Sequence, residues 1–194
     1  YIIVRIASTI KPKRFKIFNI YYVYLLFTIL FLILVFMYPY FAIKSYYGGM
    51  RTFSGLDGIA YMKSRLPEDY EAVVWLNQNI KGRPVIVEAQ GDSYTDYGRI
   101  SANTGLPTVL GWTVHEWLWR GSYDIPAPRI ENVRSIYESD DLDETKALLE
   151  KYDVKYVYVG NLEREKYPQL NESKFIDLGR VIFTADQTKI YKLN

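Results

Sequence analysis

The pattern of apolar and polar positions begins with one long apolar stretch. Residues 17–43 contain no charged side chain, and the centre of this stretch, Leu25 to Met37, is almost entirely Leu, Ile, Phe and Val. Roughly 20 apolar residues cross a bilayer as a helix. Tyrosines mark both edges of the stretch, as expected where amphipathic rings lie at headgroup level. The pattern therefore predicts a transmembrane helix over residues 17–43.

Helical and strand patterns then alternate along the rest of the chain. Pro67, Glu68 and Asp69 are typical of a helix start, and apolar residues continue from there at helical spacing up to Ile80. Short β-branched runs, which predict strands, and segments with apolar residues at helical spacing follow. Two further strand-like runs end the chain. The predicted elements are a strand over 85–88, helices over 129–138 (after Pro126 and Pro128) and 142–152, a strand over 154–159, and a hairpin of 181–184 with 188–193.

Helix followed by strand, twice, predicts an α/β fold with some parallel pairing. We expect one transmembrane helix followed by a single external α/β domain, with a short mixed sheet, flanking helices and a C-terminal β-hairpin. We expect residues 1–16 to be a cytoplasmic segment or the membrane edge of a preceding helix, and residues 17–43 to be the transmembrane helix. Residues 44–67 would form a glycine-rich tether, and residues 68–194 the external domain. The first residue is Tyr, so we expect the chain to be the C-terminal part of a longer protein.

Charge is distributed asymmetrically about the apolar stretch. The formal net charge is +2, yet residues 1–44 carry six basic residues and no acid, so the remainder has 24 − 6 = 18 basic against 22 acidic residues. Basic residues beside a membrane segment favour a cytoplasmic location of that flank. We therefore expect an integral protein of the cell membrane with residues 44–194 extracytoplasmic. The same distribution is a topology signal and does not indicate a nucleic-acid partner.

The stretch from Gly91 to Arg120 is the candidate site. It holds three of the four tryptophans and the only histidine, among acids, arginines and tyrosines. Aromatic faces with a few convergent polar groups are typical of a small-molecule pocket, and sugars suit such a surface. The alternative is that the tryptophans pack against a membrane or against the rest of a parent protein. The predicted substrate-binding residues are Tyr94, Asp96, Tyr97, Arg99, Trp112, His115, Glu116 and Trp117.

The residue composition excludes several kinds of metal and disulfide site. Cysteine is absent, which excludes disulfides and thiolate metal sites, and a single histidine excludes His-rich zinc sites. Asp92 and Asp96, with Glu116, have the oxygen ligands that Mg²⁺ or Mn²⁺ prefers, but no metal site is assigned. His115 beside Glu116 is either an acid–base pair or a structural hydrogen-bonding residue. The triplet Asn171-Glu172-Ser173 fits an N-glycosylation acceptor.

Three blocks carry a resemblance to a known family. The segment DYEAVVWLNQN at 69–79, the block SANTGLPTVLGWTVHEWLW at 101–119 and the segment YDVKYVYVGNLEREKYP at 152–168 resemble the C-terminal region of the "YYY" polytopic membrane proteins of archaea and Chloroflexi, a family of unknown function. That family is distantly similar to the glycosyltransferase-C enzymes, which transfer sugars from polyprenyl-phosphate donors outside the membrane. The piece Asp96-Tyr97-Gly98 also resembles the end of the WWDYG motif of oligosaccharyltransferases, although Ser93-Tyr94-Thr95 replaces the leading tryptophans.

The resemblance implies that this chain is the last part of a membrane glycosyltransferase, contributing acceptor or donor contacts. It also implies that the catalytic carboxylates, and any Mg or Mn ion, belong to an early external loop of the full-length protein and that this chain holds no cofactor. The implied partners are the lipid bilayer, preceding transmembrane helices and a lipid-linked sugar. The alternative is a non-catalytic external binding or structural module.

Overall fold

The computed structural model describes residues 16–48, 51 and 55–194, with the side chains of 16–19 excepted. These residues divide into two compact units, which meet in the sequence between Leu56 and Asp57. The predicted segment 1–16 lies outside the described residues apart from its last position, as does part of the predicted tether.

The first unit contains one long helix, α1, over Lys16–Tyr46. At 1.5 Å per residue it is about 46 Å long, which exceeds the roughly 30 Å hydrocarbon core of a bilayer. Its part from Ile20 to Tyr46 is long and apolar enough to cross a membrane. The tyrosines near its two ends then fall about where headgroups would lie, since Tyr22 and Tyr40 are about 27 Å apart along the axis.

The second unit is a four-stranded mixed sheet with helices on both faces. Its strands are β1 (Val85–Val87), β2 (Val154–Val159), β3 (Gly179–Ala185) and β4 (Thr188–Leu193), in the spatial order β1-β2-β4-β3. The pair β1 and β2 is parallel, whereas β4 runs antiparallel to both β2 and β3. The predicted α/β class, mixed sheet and C-terminal hairpin are confirmed.

Short helices connect and cover the strands. They are α2 (Met62–Arg65), α3 (Pro67–Asn79), α4 (Arg99–Thr104), α5 (Thr113–Arg120), α6 (Pro126–Glu138), α7 (Leu142–Lys151), α8 (Asn161–Lys166) and α9 (Ser173–Leu178). Pro67 occupies the first turn of α3, as expected, and α6 likewise begins at Pro126 instead of after the prolines, because proline fits a first helical turn. The Asp141 carboxylate caps α7 by accepting from the amides of Asp143 and Glu144.

Alternating strand residues build a separate core on each face of the sheet. On one face Val87, Val157, Val159 and Tyr191 pack against residues of α6, α7 and α9. On the other face Ile86, Tyr156, Tyr158 and Ile190 pack against residues of α2, α3 and α4. This two-sided burial explains why β1, and β2 after the exposed Lys155, are continuous apolar runs without polar alternation.

Candidate functional site

The candidate site follows β1 at the carboxyl end of the parallel strands. Gly91 pairs with the backbone of Trp112, and its carbonyl accepts a hydrogen bond of 3.2 Å from the Thr113 amide. The Tyr97 ring occupies the space where a Cβ of residue 91 would lie, so only glycine fits there. This backbone contact brings the start of α5 beside the loop that contains Tyr94.

Four rings contact one another at this position, and we call them the aromatic cluster: Tyr94, Trp112, His115 and Trp119. The His115 ring stacks on Trp119 with a centroid distance of 5.5 Å and an interplanar angle of 6°. Tyr94 meets His115 edge to face at 5.3 Å and lies 5.6 Å from Trp112. Trp112 and His115 are 5.3 Å apart. The cluster therefore forms a continuous aromatic surface around the only histidine of the chain.

The aromatic cluster is anchored on one side and open on the other. The Trp112 indole N–H donates to the carbonyl of Tyr97 at 2.7 Å, which fixes its ring. Tyr94 and Trp119 are 85% and 82% exposed, so their faces are available to solvent. Tyr94 also has a left-handed backbone conformation, with φ of 63°, which is unfavourable for a tyrosine. Strained backbone at an exposed ring is a feature of functional sites.

Two polar groups lie near Tyr97, which supports the aromatic cluster. Asp92 is exposed and directly follows Gly91. The Lys166 ammonium lies 4.5 Å from the centroid of the Tyr97 ring. Burial lowers the pKa of Lys166 below its ordinary value, with Arg134 acting in the same direction and Asp92 against it. Exposed aromatic rings together with a carboxylate and an amine in the same region have the mixed character of sugar-binding surfaces.

Two of the predicted acids have surface partners. Asp96 accepts from Arg65 at 3.0 Å in an exposed ion pair. One Glu116 carboxylate oxygen accepts from the Gly111 amide at 2.9 Å, and the other accepts from Arg120 at 2.8 Å. Each carboxylate therefore stabilises the loop or helix that carries it. Among the described residues, no three of His, Asp and Glu come together as metal ligands.

Arg99, also predicted to bind substrate, lies in the interior. Its guanidinium donates to Asp69 at 2.8 Å and to both oxygens of Glu163 at 3.2 and 3.0 Å. All three side chains are at most 5% exposed. Burial opposes the guanidinium charge, but the two carboxylates outweigh it and hold the pKa of Arg99 well above its ordinary value. This buried ion cluster joins α3, α4 and α8.

Further buried polar groups extend the ion cluster to both parallel strands. The Tyr158 hydroxyl donates to Asp69, and burial raises the pKa of this tyrosine well above its ordinary value. Glu163 also accepts from the amides of Ala89 and Gly160, both at 2.9 Å. These amides follow β1 and β2, so the cluster fixes the two chain segments that leave the sheet beside the candidate site.

Glu88 makes an equivalent connection at the end of β1. Its carboxylate accepts from the amides of Ile100 and Ser101, at 2.8 and 2.7 Å, in the first turn of α4. The side chain is fully buried, and burial raises its pKa. Glu88 thus holds α4 against the sheet from the inside.

The structure brings together only part of the predicted set. Tyr94, Trp112 and His115 meet in the aromatic cluster, and Tyr97 supports it through its backbone carbonyl. Trp117 lies on another side of α5 and contacts Tyr123 at 5.9 Å. Asp96, Arg99 and Glu116 each pair with a different residue.

Trp119, Asp92 and Lys166 were missing from the predicted set. For Trp119 a signal existed, because positions 115 and 119 are four residues apart and share a helix face. Lys166 carried no such signal, since it comes from α8, which is far away in the sequence.

Comparison with known proteins adds little to this geometry. No protein-family model and no curated protein matches the chain. The crystal structure of the C-terminal globular domain of an oligosaccharyltransferase from Archaeoglobus fulgidus is similar, with 12% sequence identity and a TM-score of 0.42. The likeness covers 65% of this chain and 97% of that domain. This score is too low to carry an argument about activity, so the site is interpreted from its own residues, and the resemblance to the YYY family stays a prediction.

Proposed function

We propose that this chain is the membrane-anchored external part of a glycosyltransferase that uses a polyprenyl-phosphate sugar, and that the aromatic cluster contacts the sugar. The single observation that carries the proposal is the pair of exposed rings, Tyr94 and Trp119, which both contact His115. The C–H groups on one face of a hexose carry partial positive charge and match the negative faces of aromatic rings. Hydroxyl groups at the rim of the sugar match Asp92 and Lys166.

The apolar helix α1 supports the lipid-linked form of the sugar. A chain that is anchored by a helix of membrane length would lie in the same bilayer as a polyprenyl-phosphate substrate. The basic residues that precede this helix favour an external location of the domain. A lipid-linked sugar on the outer leaflet and an external aromatic surface would then lie in the same region.

Substitution in the full-length parent protein tests the proposal. We expect Trp119→Ala and Tyr94→Ala each to lower sugar transfer from a polyprenyl-phosphate donor about tenfold, or about 1.4 kcal/mol of lost contact. Trp75→Phe is the matched control, because Trp75 lies on α3 and contacts Phe183, away from the aromatic cluster. Wild-type rates in both cluster variants would overturn the site assignment.

A non-catalytic external binding module is the second candidate. It is favoured by the pairing of Asp96 and Glu116 with basic side chains, since neither carboxylate is left as an evident general base. Sugar binding measured beside the transfer assay separates the two candidates. If the aromatic cluster binds sugar but its loss leaves transfer unchanged, the domain is a binding module.

A further inference from the structure

Helix α5 turns its polar residues toward the domain. The Thr113 side chain is buried and donates to the Gln90 side-chain oxygen at 3.1 Å. Glu116, one turn later, is only 17% exposed at its side chain and accepts from the Gly111 amide. In an ordinary surface helix the inward residues are apolar and the outward residues polar. Helix α5 has the opposite orientation.

The outward side of α5 is apolar and continues into the next loop. Leu118 is 62% exposed and Trp117 contacts Tyr123, and the charged residues Arg120 and Asp124 in this stretch are exposed as well. We call this set the outer apolar face: Val114, Trp117, Leu118, Tyr123 and Ile125. Burial of large apolar side chains is favourable, so five exposed ones in one stretch indicate a surface that is covered in the working protein.

A lipid bilayer is the occupant that the chain itself favours. Tryptophan and tyrosine with aliphatic neighbours are the residues that settle at the boundary of headgroups and acyl chains. Helix α1 ends at Tyr46 and the compact unit begins at Asp57, so residues 47–56 are the connection. Ten residues reach at most about 35 Å, which keeps the domain beside any bilayer that α1 crosses. Tethering at this range raises the local concentration of the membrane surface.

We propose that the outer apolar face inserts into the headgroup region of the bilayer as an interfacial anchor. This inference goes beyond the proposed sugar contact, which uses His115 and Trp119 on a neighbouring side of the same helix, with Tyr94 from the preceding loop. Insertion would hold the aromatic cluster at the height where the sugar of a lipid-linked substrate lies. Membrane insertion can be absent while sugar contact is present, and the reverse, because the two sets of side chains do not overlap.

The absence of cysteine makes a direct test possible, because each introduced cysteine is unique. The 194-residue chain is reconstituted into phosphatidylcholine nanodiscs with a nitroxide on Leu118→Cys. A matched control carries the nitroxide on Lys146→Cys, an exposed position of α7. Power saturation measures collisions with oxygen, which concentrates in lipid, and with a water-soluble nickel chelate. We expect frequent oxygen and rare nickel collisions at position 118, and the reverse at position 146.

Any other pattern of collisions at position 118 overturns the proposal. Frequent nickel collisions at position 118 would mean that the face is in water. Rare collisions with both reagents would mean that a protein partner or a second copy covers it. A label on Val114→Cys repeats the measurement at a second position in case Leu118→Cys alters the helix. Adding Leu118→Glu to that chain should move the 114 label from the lipid pattern to the water pattern.

Discussion

Tyr94 combines an unfavourable backbone with an exposed ring. Its φ of 63° is left-handed, and 85% of the residue is accessible to solvent. A left-handed conformation costs a residue with a Cβ roughly 1–2 kcal/mol. The ring contacts with Trp112 and His115 leave most of its surface unburied. Tyr94 therefore contributes little burial to stability, which fits the proposed role of its ring in binding.

We expect Tyr94→Gly to separate stability from binding. Glycine removes the backbone penalty but has the larger entropy in the unfolded chain, so the free energy of unfolding should rise by at most about 1 kcal/mol. Binding of a polyprenyl-phosphate hexose should weaken, because one ring of the aromatic cluster is gone. Urea unfolding in detergent micelles and a binding titration measure the two effects. Weaker stability together with unchanged binding would contradict this assignment.

Glu88 should make stability depend on pH. Burial raises the pKa of Glu88 above 4.5, so the folded state favours the protonated carboxyl. Its contribution is fully present below pH 4.5 and is lost as pH rises through the folded pKa. We expect the unfolding free energy of wild type, relative to Glu88→Gln, to fall as pH rises from 4 to 7. Urea titrations across this range measure the difference, and a relative gain with rising pH would refute the prediction.

At the scale of elements, one buried arginine connects three helices. Arg99 of α4 pairs with Asp69 of α3 and with Glu163 of α8, and all three are buried. Glu163 in turn accepts the amides that follow both parallel strands. The orientation of the chain segments beneath the aromatic cluster therefore depends on this ion cluster.

We expect Arg99→Ala to lower the free energy of unfolding by about 3–5 kcal/mol, because it leaves two buried carboxylates without a cation. Arg134→Ala is the control. Arg134 is 60% exposed at its side chain and pairs only with neighbours on its own helix, so its loss should cost within about 0.5 kcal/mol. Equal effects of the two substitutions in urea unfolding would show that the buried pairing is energetically neutral.

Periodicity and end signals were sufficient to predict much of the element order. The start of α3 at Pro67, the start of α7 at Leu142, both parallel strands and the terminal hairpin follow from local residues. Helix α5 was not predicted, because its apolar residues face outward and resemble a loop with scattered tryptophans. The ion cluster was not predicted either, since Asp69 and Glu163 are 94 positions apart and their burial depends on tertiary packing.

At the scale of the whole molecule, the apolar helix α1 and the basic residues before it make a prediction about sidedness. We expect an impermeant maleimide to label Asp92→Cys in intact cells and Lys13→Cys only after permeabilisation. The reason is the basic flank that precedes α1, which favours the cytoplasmic side. Labelling in the opposite order would place the aromatic cluster in the cytoplasm and remove the proposed substrate from its reach.

Sugar binding by the aromatic cluster is the central claim, and one titration tests it most directly. The chain in nanodiscs is titrated calorimetrically with a short-chain polyprenyl-phosphate hexose and, separately, with the same polyprenyl phosphate lacking the hexose. We predict saturable heat only with the hexose, and about tenfold weaker binding in Trp119→Ala, which corresponds to about 1.4 kcal/mol. Equal isotherms for the two ligands, or for wild type and Trp119→Ala, would contradict sugar binding at the aromatic cluster.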